Sequence, residues 1–229
     1  YIIGELTTGK RQIVHEIADL DEHGRWDAGY HASLSADFVA RMKTESRLLR
    51  VADVAELVAD RVDPRRGVHP TFDYIEISDV DGESLTVTSK PVASADAPSR
   101  ARRSVKAGDV LVSTVRPDRG AIGVVPDWLD GAVCTTGFAV LRPRAIHSVA
   151  LAALLRTEFV TQQLLRNNVG IAYPAIEAGC LPDVVLPAAN DALEGLADVA
   201  IDYERAQAAM KVAKDRFLGE VDGVASATS

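Results

Sequence analysis

The stretch Arg103–Val125, RSVKAGDVLVSTVRPDRGAIGVV, decides how this chain is read. Gly108–Val115 and Gly120–Pro126 are rich in valine and isoleucine and read as two strands. Between them Arg116-Pro117-Asp118-Arg119 is a turn signal, so the unit is a hairpin with a basic tip. Arg100, Arg102, Arg103 and Lys106 lead into the first strand; Arg116 and Arg119 sit at the tip. A guanidinium is planar, permanently charged and bidentate, which suits phosphate oxygens and the O6/N7 edge of guanine. Ser113, Thr114, Thr135 and Thr136 place small hydroxyl donors near the ends of the same segments, compatible with phosphate or base contacts.

The charge distribution supports a local basic site. The 229 residues carry 25 Lys+Arg against 33 Asp+Glu, a net charge of −8. Residues 81–170 hold 11 basic and 8 acidic side chains, whereas 1–80 hold 10 and 15, and 171–229 hold 4 and 10. A basic middle between acidic flanks permits a polyanion site there, although solubility and pairing with Asp109, Asp118 and Asp127 would also use these arginines. The hydrophobic share of 47% is enough for a core at this length. No apolar run approaches the roughly 20 residues of a membrane span, and no secretion signal opens the chain. It begins at Tyr1, as a piece with something removed upstream would. Cys134 and Cys180 read as two small buried thiols in a reducing cytoplasm.

Working outward, the spacing of Leu48, Val51, Val54, Leu57 and Val58 predicts a helix over Arg47–Val62, ended by the turn DPRRG. A second helix, with a serine cap, is expected over Ser33–Thr44. Tyr74, Ile75 and Ile77 predict a strand before the Asp81-Gly82 turn; Leu85 and Val87 predict another. Ala93–Val105 reads as an exposed basic loop, and Gly131–Pro143 as a further strand region. Ser148–Asn168 is expected as one helix capped by Gly170, and LPDVVLP as a short strand between prolines. From Asn190 or Asp191, either suited to cap it, one long helix is expected to about Val221. Leu196, Val199, Tyr203, Ala206, Met210, Ala213 and Phe217 recur along it at +3 and +4, the spacing of a helix-pairing seam. The same pattern would serve an amphipathic helix packed on its own domain.

Catalytic signatures are missing. The chain has no GxSxG, no GxxxxGK[ST] and no GxGxxG. Its five histidines form no HxxxH pair, and neither cysteine has a partner at metal spacing, so no metal and no cofactor are expected. The acidic-or-Asn, Pro, Pro, aromatic quartet of adenine methyltransferases is absent, and none of the three Pro-Asp pairs is followed by the Glu/Asp-x-Lys of a nuclease. The functions left are binding functions.

The order of the pieces resembles one half of a type I restriction–modification specificity subunit, a target recognition domain followed by its spacer helix. The resemblance rests on RWDAGYH (Arg25–His31), YIEISDVDG, the hairpin and its basic approach, TTGFAVLRP, LLRTEFVTQQLLRNNVGIAYPAI, and the Pro-ended strand feeding the long helix. It covers about Arg25 to Phe217. It implies an α/β (α+β) fold: a recognition domain over residues 1–188 with a twisted mixed or antiparallel sheet and flanking helices. A coiled-coil-forming helix over 189–221 and a disordered tail over 222–229 would follow. It also implies a non-catalytic cytoplasmic subunit that binds a half-site of a bipartite DNA target. Such a subunit directs adenine methyltransferase and restriction subunits and pairs with a second half through the long helix. The hairpin and its approach would then carry phosphate and base contacts. Asn167 and Asn168 would be placed to read adenine edges, and Tyr173 to stack or contact backbone. A plain helix end explains the two asparagines equally well. The chain has one recognition domain and one helix where the family has two of each. Two copies would pair, or the chain is part of a longer one. The recognition end of a fused N6-adenine methyltransferase, or a non-catalytic interaction scaffold, are the alternatives.

Overall fold

The computed structural model describes residues 48–167, 174–189 and 193–227. Its centre is a four-stranded antiparallel sheet in the order β2-β11-β8-β9, made of Ala55–Val58, Phe138–Pro143, Val110–Ser113 and Ile122–Val124. The expected hairpin is present as the β8–β9 pair, with Val110 opposite Val124 and Val112 opposite Ile122. Val110, Leu111 and Val112 are all buried because both faces of this sheet are covered, which is why the run does not alternate. Val110, Val112, Ala139 and Leu141 face one core; Leu111, Phe138, Val140 and Val58 face another.

The first core is closed by helices. α2 (Ser148–Leu155) and α3 (Glu158–Arg166) pack there with β12 (Val185–Ala189), which pairs antiparallel with β1 (Leu48–Arg50). The second core is closed by a second sheet in the order β6-β3-β10-β7: Lys90–Ala93, Thr71–Ile75, Val133–Thr135 and Ala101–Ser104. In it β3 and β10 run parallel, and the outer pairs are antiparallel. The short turn from β10 to β11 carries the chain from one sheet to the other. A two-residue pair, β4 (Val80–Asp81) with β5 (Thr86–Val87), leans on β9.

Three expectations are corrected. Arg47–Val62 is not a helix: β1, a single turn α1 (Val51–Val54) and β2 replace it. The same apolar spacing is used by an extended segment, because β2 pairs with β11 over four positions and its Val58 enters the core between the sheets. Tertiary pairing overrides a helical period in so short a run. The supposed loop Ala93–Val105 ends in β7, whose Ala101 is fully buried. Ser148–Asn168 is two helices, broken at Arg156–Thr157, where the Thr157 hydroxyl donates back to the Leu154 carbonyl at 2.7 Å.

The long helix, α4, spans Leu193–Ala227 and so runs on past Val221 into the expected tail. RWDAGYH, the Ser33–Thr44 helix, the Gly170 cap and the Asn190 or Asp191 cap lie outside the described residues.

Candidate nucleic-acid interface

The tip of the β8–β9 hairpin is a braced loop. The Ser113 hydroxyl donates to the Val115 carbonyl at 2.8 Å, and Val115 N–H donates back to Ser113 Oγ at 3.3 Å. Arg116 then adopts φ 50° and ψ 61°, a left-handed conformation that costs a non-glycine residue about 1 kcal/mol or more. The right-handed helical region is disfavoured for a residue before proline, and Arg116 precedes Pro117. The strained backbone is held by neighbours: Arg116 N–H donates to the Pro174 carbonyl at 2.8 Å, and Val115 forms a bridge with Ala175. Pro117–Arg119 makes one tight turn, and Gly120 at φ 61° returns the chain to β9. Backbone strain held in place by its surroundings is a pointer to function.

Hydrogen bonds tie this tip to two other segments. Thr114 N–H and Oγ1 both donate to the Gly137 carbonyl, at 2.8 and 2.9 Å. Thr136 N–H donates to the Arg100 carbonyl at 2.9 Å. Arg100, Thr136, Thr114, Arg116 and Arg119 therefore line one end of the two sheets. Arg100, Thr136 and Arg119 are exposed; Thr114 and Arg116 are half-buried.

Other expected contact residues lie elsewhere. Ser113 and Thr135 are interior residues, 2% and 6% exposed. Their hydroxyls hold the loops, Thr135 Oγ1 by accepting Gly137 N–H at 3.3 Å, and are not offered to solvent. Lys106 is exposed at the opposite end of β8 from Arg116, with the length of the strand, on the order of 13 Å, between them. Arg102 and Arg103 point to opposite faces of β7 because strand side chains alternate. Arg102 is 3.4 Å from Asp63. Arg103 sits opposite Cys134 on one side and Arg61 on the other, its Nε buried without a partner among the described residues. Asn167 ends α3 and its side chain donates to the Gln163 carbonyl at 3.0 Å, the ordinary use of a helix-end asparagine. Asn168 and Tyr173 are outside the described residues.

The acids set against the arginines are also rearranged. Asp109, 1% exposed, takes a bidentate contact from Arg142 at 2.9 Å through each oxygen. Lys106 N–H, at 2.8 Å, completes its shell. Arg142 was not singled out in the sequence, and the Asp109 it pairs with is 33 positions away. Burial pushes the Cys134 thiol up to about 12 and the Cys180 thiol up to about 11, so neither is a nucleophile near neutrality. Among the described residues no group of three or more His, Cys, Asp or Glu is arranged to hold a metal ion. No helix among them is long and apolar enough to cross a membrane.

The helical seam is divided between two environments. Leu196 and Tyr203 turn toward the chain's own core beside Leu193 and buried Ala200. Val199, Met210 and Phe217 are 68%, 73% and 65% exposed, and Ala206 and Ala213 lie on the same stripe. At about 100° per residue Met210 and Phe217 lie only about 20° and 40° around the helix from Tyr203, so they are exposed because the helix has run beyond the domain there, not because they face another way. Farther along, Lys211 Nζ stands 5.0 Å over the Trp128 ring.

No family model matches the chain, and no curated protein does. Solved structures do. A structure described as the basis of complex assembly and conformational transition of the type I R-M system is 31% identical. It superposes with a TM-score of 0.60, over 74% of this chain and 45% of that one. The HsdS subunit from Thermoanaerobacter tengcongensis is also 31% identical, with a TM-score of 0.59 and the same coverages, 74% and 45%. The chain thus spans under half the length of these relatives. The likeness read in the sequence is matched in three dimensions: the chain shares its fold and close to a third of its aligned sequence with the specificity subunits of type I restriction–modification systems.

Proposed function

We propose that this chain is the DNA-reading half of a type I specificity subunit. The recognition unit, residues 1–188, binds one half of a bipartite duplex target. Arg116 and Arg119 are its candidate base-reading side chains, with Arg100, Thr114 and Thr136 beside them. The helix beyond it pairs with a second half through the Val199–Met210–Phe217 stripe and carries adenine methyltransferase subunits to the site. The subunit does no chemistry itself. One observation supports this most: three separate segments converge on a single strained, braced tip that presents guanidinium groups. A rigid scaffold presenting Arg side chains suits major-groove readout, where bidentate geometry carries specificity.

The test is fluorescence anisotropy on a randomised duplex pool at two salt concentrations, with and without an adenine methyltransferase subunit. Binding that weakens steeply with salt and enriches one half-site supports the reading, because released counterions scale with phosphate contacts. A folded sample that binds no duplex under any of these conditions sinks it.

A further inference from the structure

The segment DPRRGVHP, Asp63–Pro70, entered the sequence reading only as a helix-ending turn. In the fold it is an ordered loop in its own right. Asp63 caps its first turn by accepting Arg65 N–H at 3.2 Å, and Pro64 is buried beneath. Arg65 Nη2 donates to the Ala97 carbonyl at 2.5 Å. At the other end Ser94 N–H donates to the Pro70 carbonyl at 2.8 Å, and Ser94 Oγ to the His69 carbonyl at 2.6 Å. Ser94 and Ala97 are themselves 9% and 1% exposed, so both anchors are embedded in the domain.

Everything between the anchors faces solvent. Arg65, Arg66, Gly67, Val68 and His69 are all exposed; Val68 is 92% exposed and the Arg66 side chain 88%. A lone surface valine means little. This one crowns a rigid loop directly after two arginines. Only Asp63 opposes them in the loop, 3.8 Å from Arg66.

The loop starts at the end of the domain that carries the hairpin tip and runs away from it: Asp63 lies 3.4 Å from Arg102, beside the Ala101–Thr135 pair, whereas Pro70 leads into β3 at the other end of the sheet. Ala97 leads through the Pro98–Ala101 turn to Arg100, whose carbonyl accepts Thr136 N–H; Gly137 next to it accepts Thr114, two residues from Arg116.

We infer that Arg65–His69 is a second DNA-contacting loop, with Arg66 on a backbone phosphate and Val68 against a base edge. The inference rests on the recognition reading above and extends the contact surface across the second sheet. Arg66 supplies a charge with few internal obligations. Val68 supplies an apolar surface of the kind that packs on a thymine methyl. The anchored backbone means little ordering is needed on binding.

The test compares Arg66→Ala, Val68→Asp and Arg116→Ala in the whole chain, on the duplex enriched by the wild type, with and without methyltransferase subunit. Circular dichroism checks folding. Arg66→Ala should weaken binding several-fold on every duplex and lower the slope of log K against log salt by about one. Val68→Asp should weaken it about tenfold. If Arg116→Ala loses affinity while both loop variants keep wild-type affinity and slope, the loop assignment is overturned and the recognition reading stands. Loop variants that keep DNA affinity but lose the methyltransferase subunit would also overturn it, marking a protein contact. A folded wild type that binds no duplex sinks both.

Discussion

The hydroxyl of Tyr203, in the first third of the long helix, donates to the carbonyl of Ser84 at 2.8 Å, across 119 positions of sequence. Gln207, one helical turn on, donates to the same oxygen. Ser84 belongs to the turn between β4 and β5, and that turn touches the β8–β9 hairpin directly. A Cβ on Gly82 would lie 2.1 Å from the Gly120 carbonyl oxygen, and Leu85 accepts Val124 N–H at 2.9 Å. Leu85 holds φ 55° to do so. One small turn therefore joins the helix to the tip.

Gly82→Ala should force the turn and the tip apart. Backbone against backbone cannot yield as a flexible side chain would, so a loss of about 1–3 kcal/mol is expected in urea unfolding. Tyr203→Phe, which removes one hydrogen bond, should cost about 1 kcal/mol. DNA affinity should fall in Gly82→Ala beyond what the lost stability explains. Equal affinity in a folded Gly82→Ala sample would show that the tip does not depend on the turn.

Arg116→Ala and Arg119→Ala should each weaken specific binding by about 1–3 kcal/mol and relax the preferred base at one position. Lys106→Ala, at the far end of β8, should leave the selected sequence unchanged. A selection experiment on each variant separates these outcomes, and equal losses for all three would argue for a diffuse electrostatic surface.

Phe217→Asp and Met210→Asp should abolish self-association of the chain, read by light scattering, while leaving the unfolding midpoint nearly unchanged. Both side chains are largely exposed, so neither holds up the domain core. Self-association that survives both changes would place the pairing surface off the Val199–Phe217 stripe.

Alkaline pH should destabilise the fold through Cys134. Its thiol is held up to about 12, above the ordinary value of 9.0, because burial disfavours the thiolate. The unfolded chain ionises first, so this contribution is complete below pH 9 and declines as pH rises toward 12. Cys134→Ala should unfold with a flatter profile over that window. Identical slopes would exclude the thiol as the source.

The hairpin was legible because its signal is local: two valine-rich runs and a Pro-Asp tip leave few alternatives. The long helix was legible for the same reason. What the helix faces was not, since Leu196 and Tyr203 share a spacing with Met210 and Phe217, and only the extent of the domain along the helix separates them. Arg102 and Arg103 looked like one basic cluster until β7 proved to be a strand, which sends neighbours to opposite faces. Arg47–Val62 misled because four residues of β2 gain their conformation from β11, far along the chain. The Asp63–Pro70 loop passed as punctuation, since exposure and anchoring are properties of the folded molecule.

The tip is fastened at both ends, by the Val115–Ala175 bridge on one side and the close seat of Gly120 under Gly82 on the other. Such a loop has little freedom to gain or lose a residue. Its exposed side chains at 118 and 119 can be exchanged without redirecting the backbone. If this tip reads DNA as proposed, a new preference would arise here through substitution rather than insertion, and a lineage could revise what it recognises while inheriting the same frame.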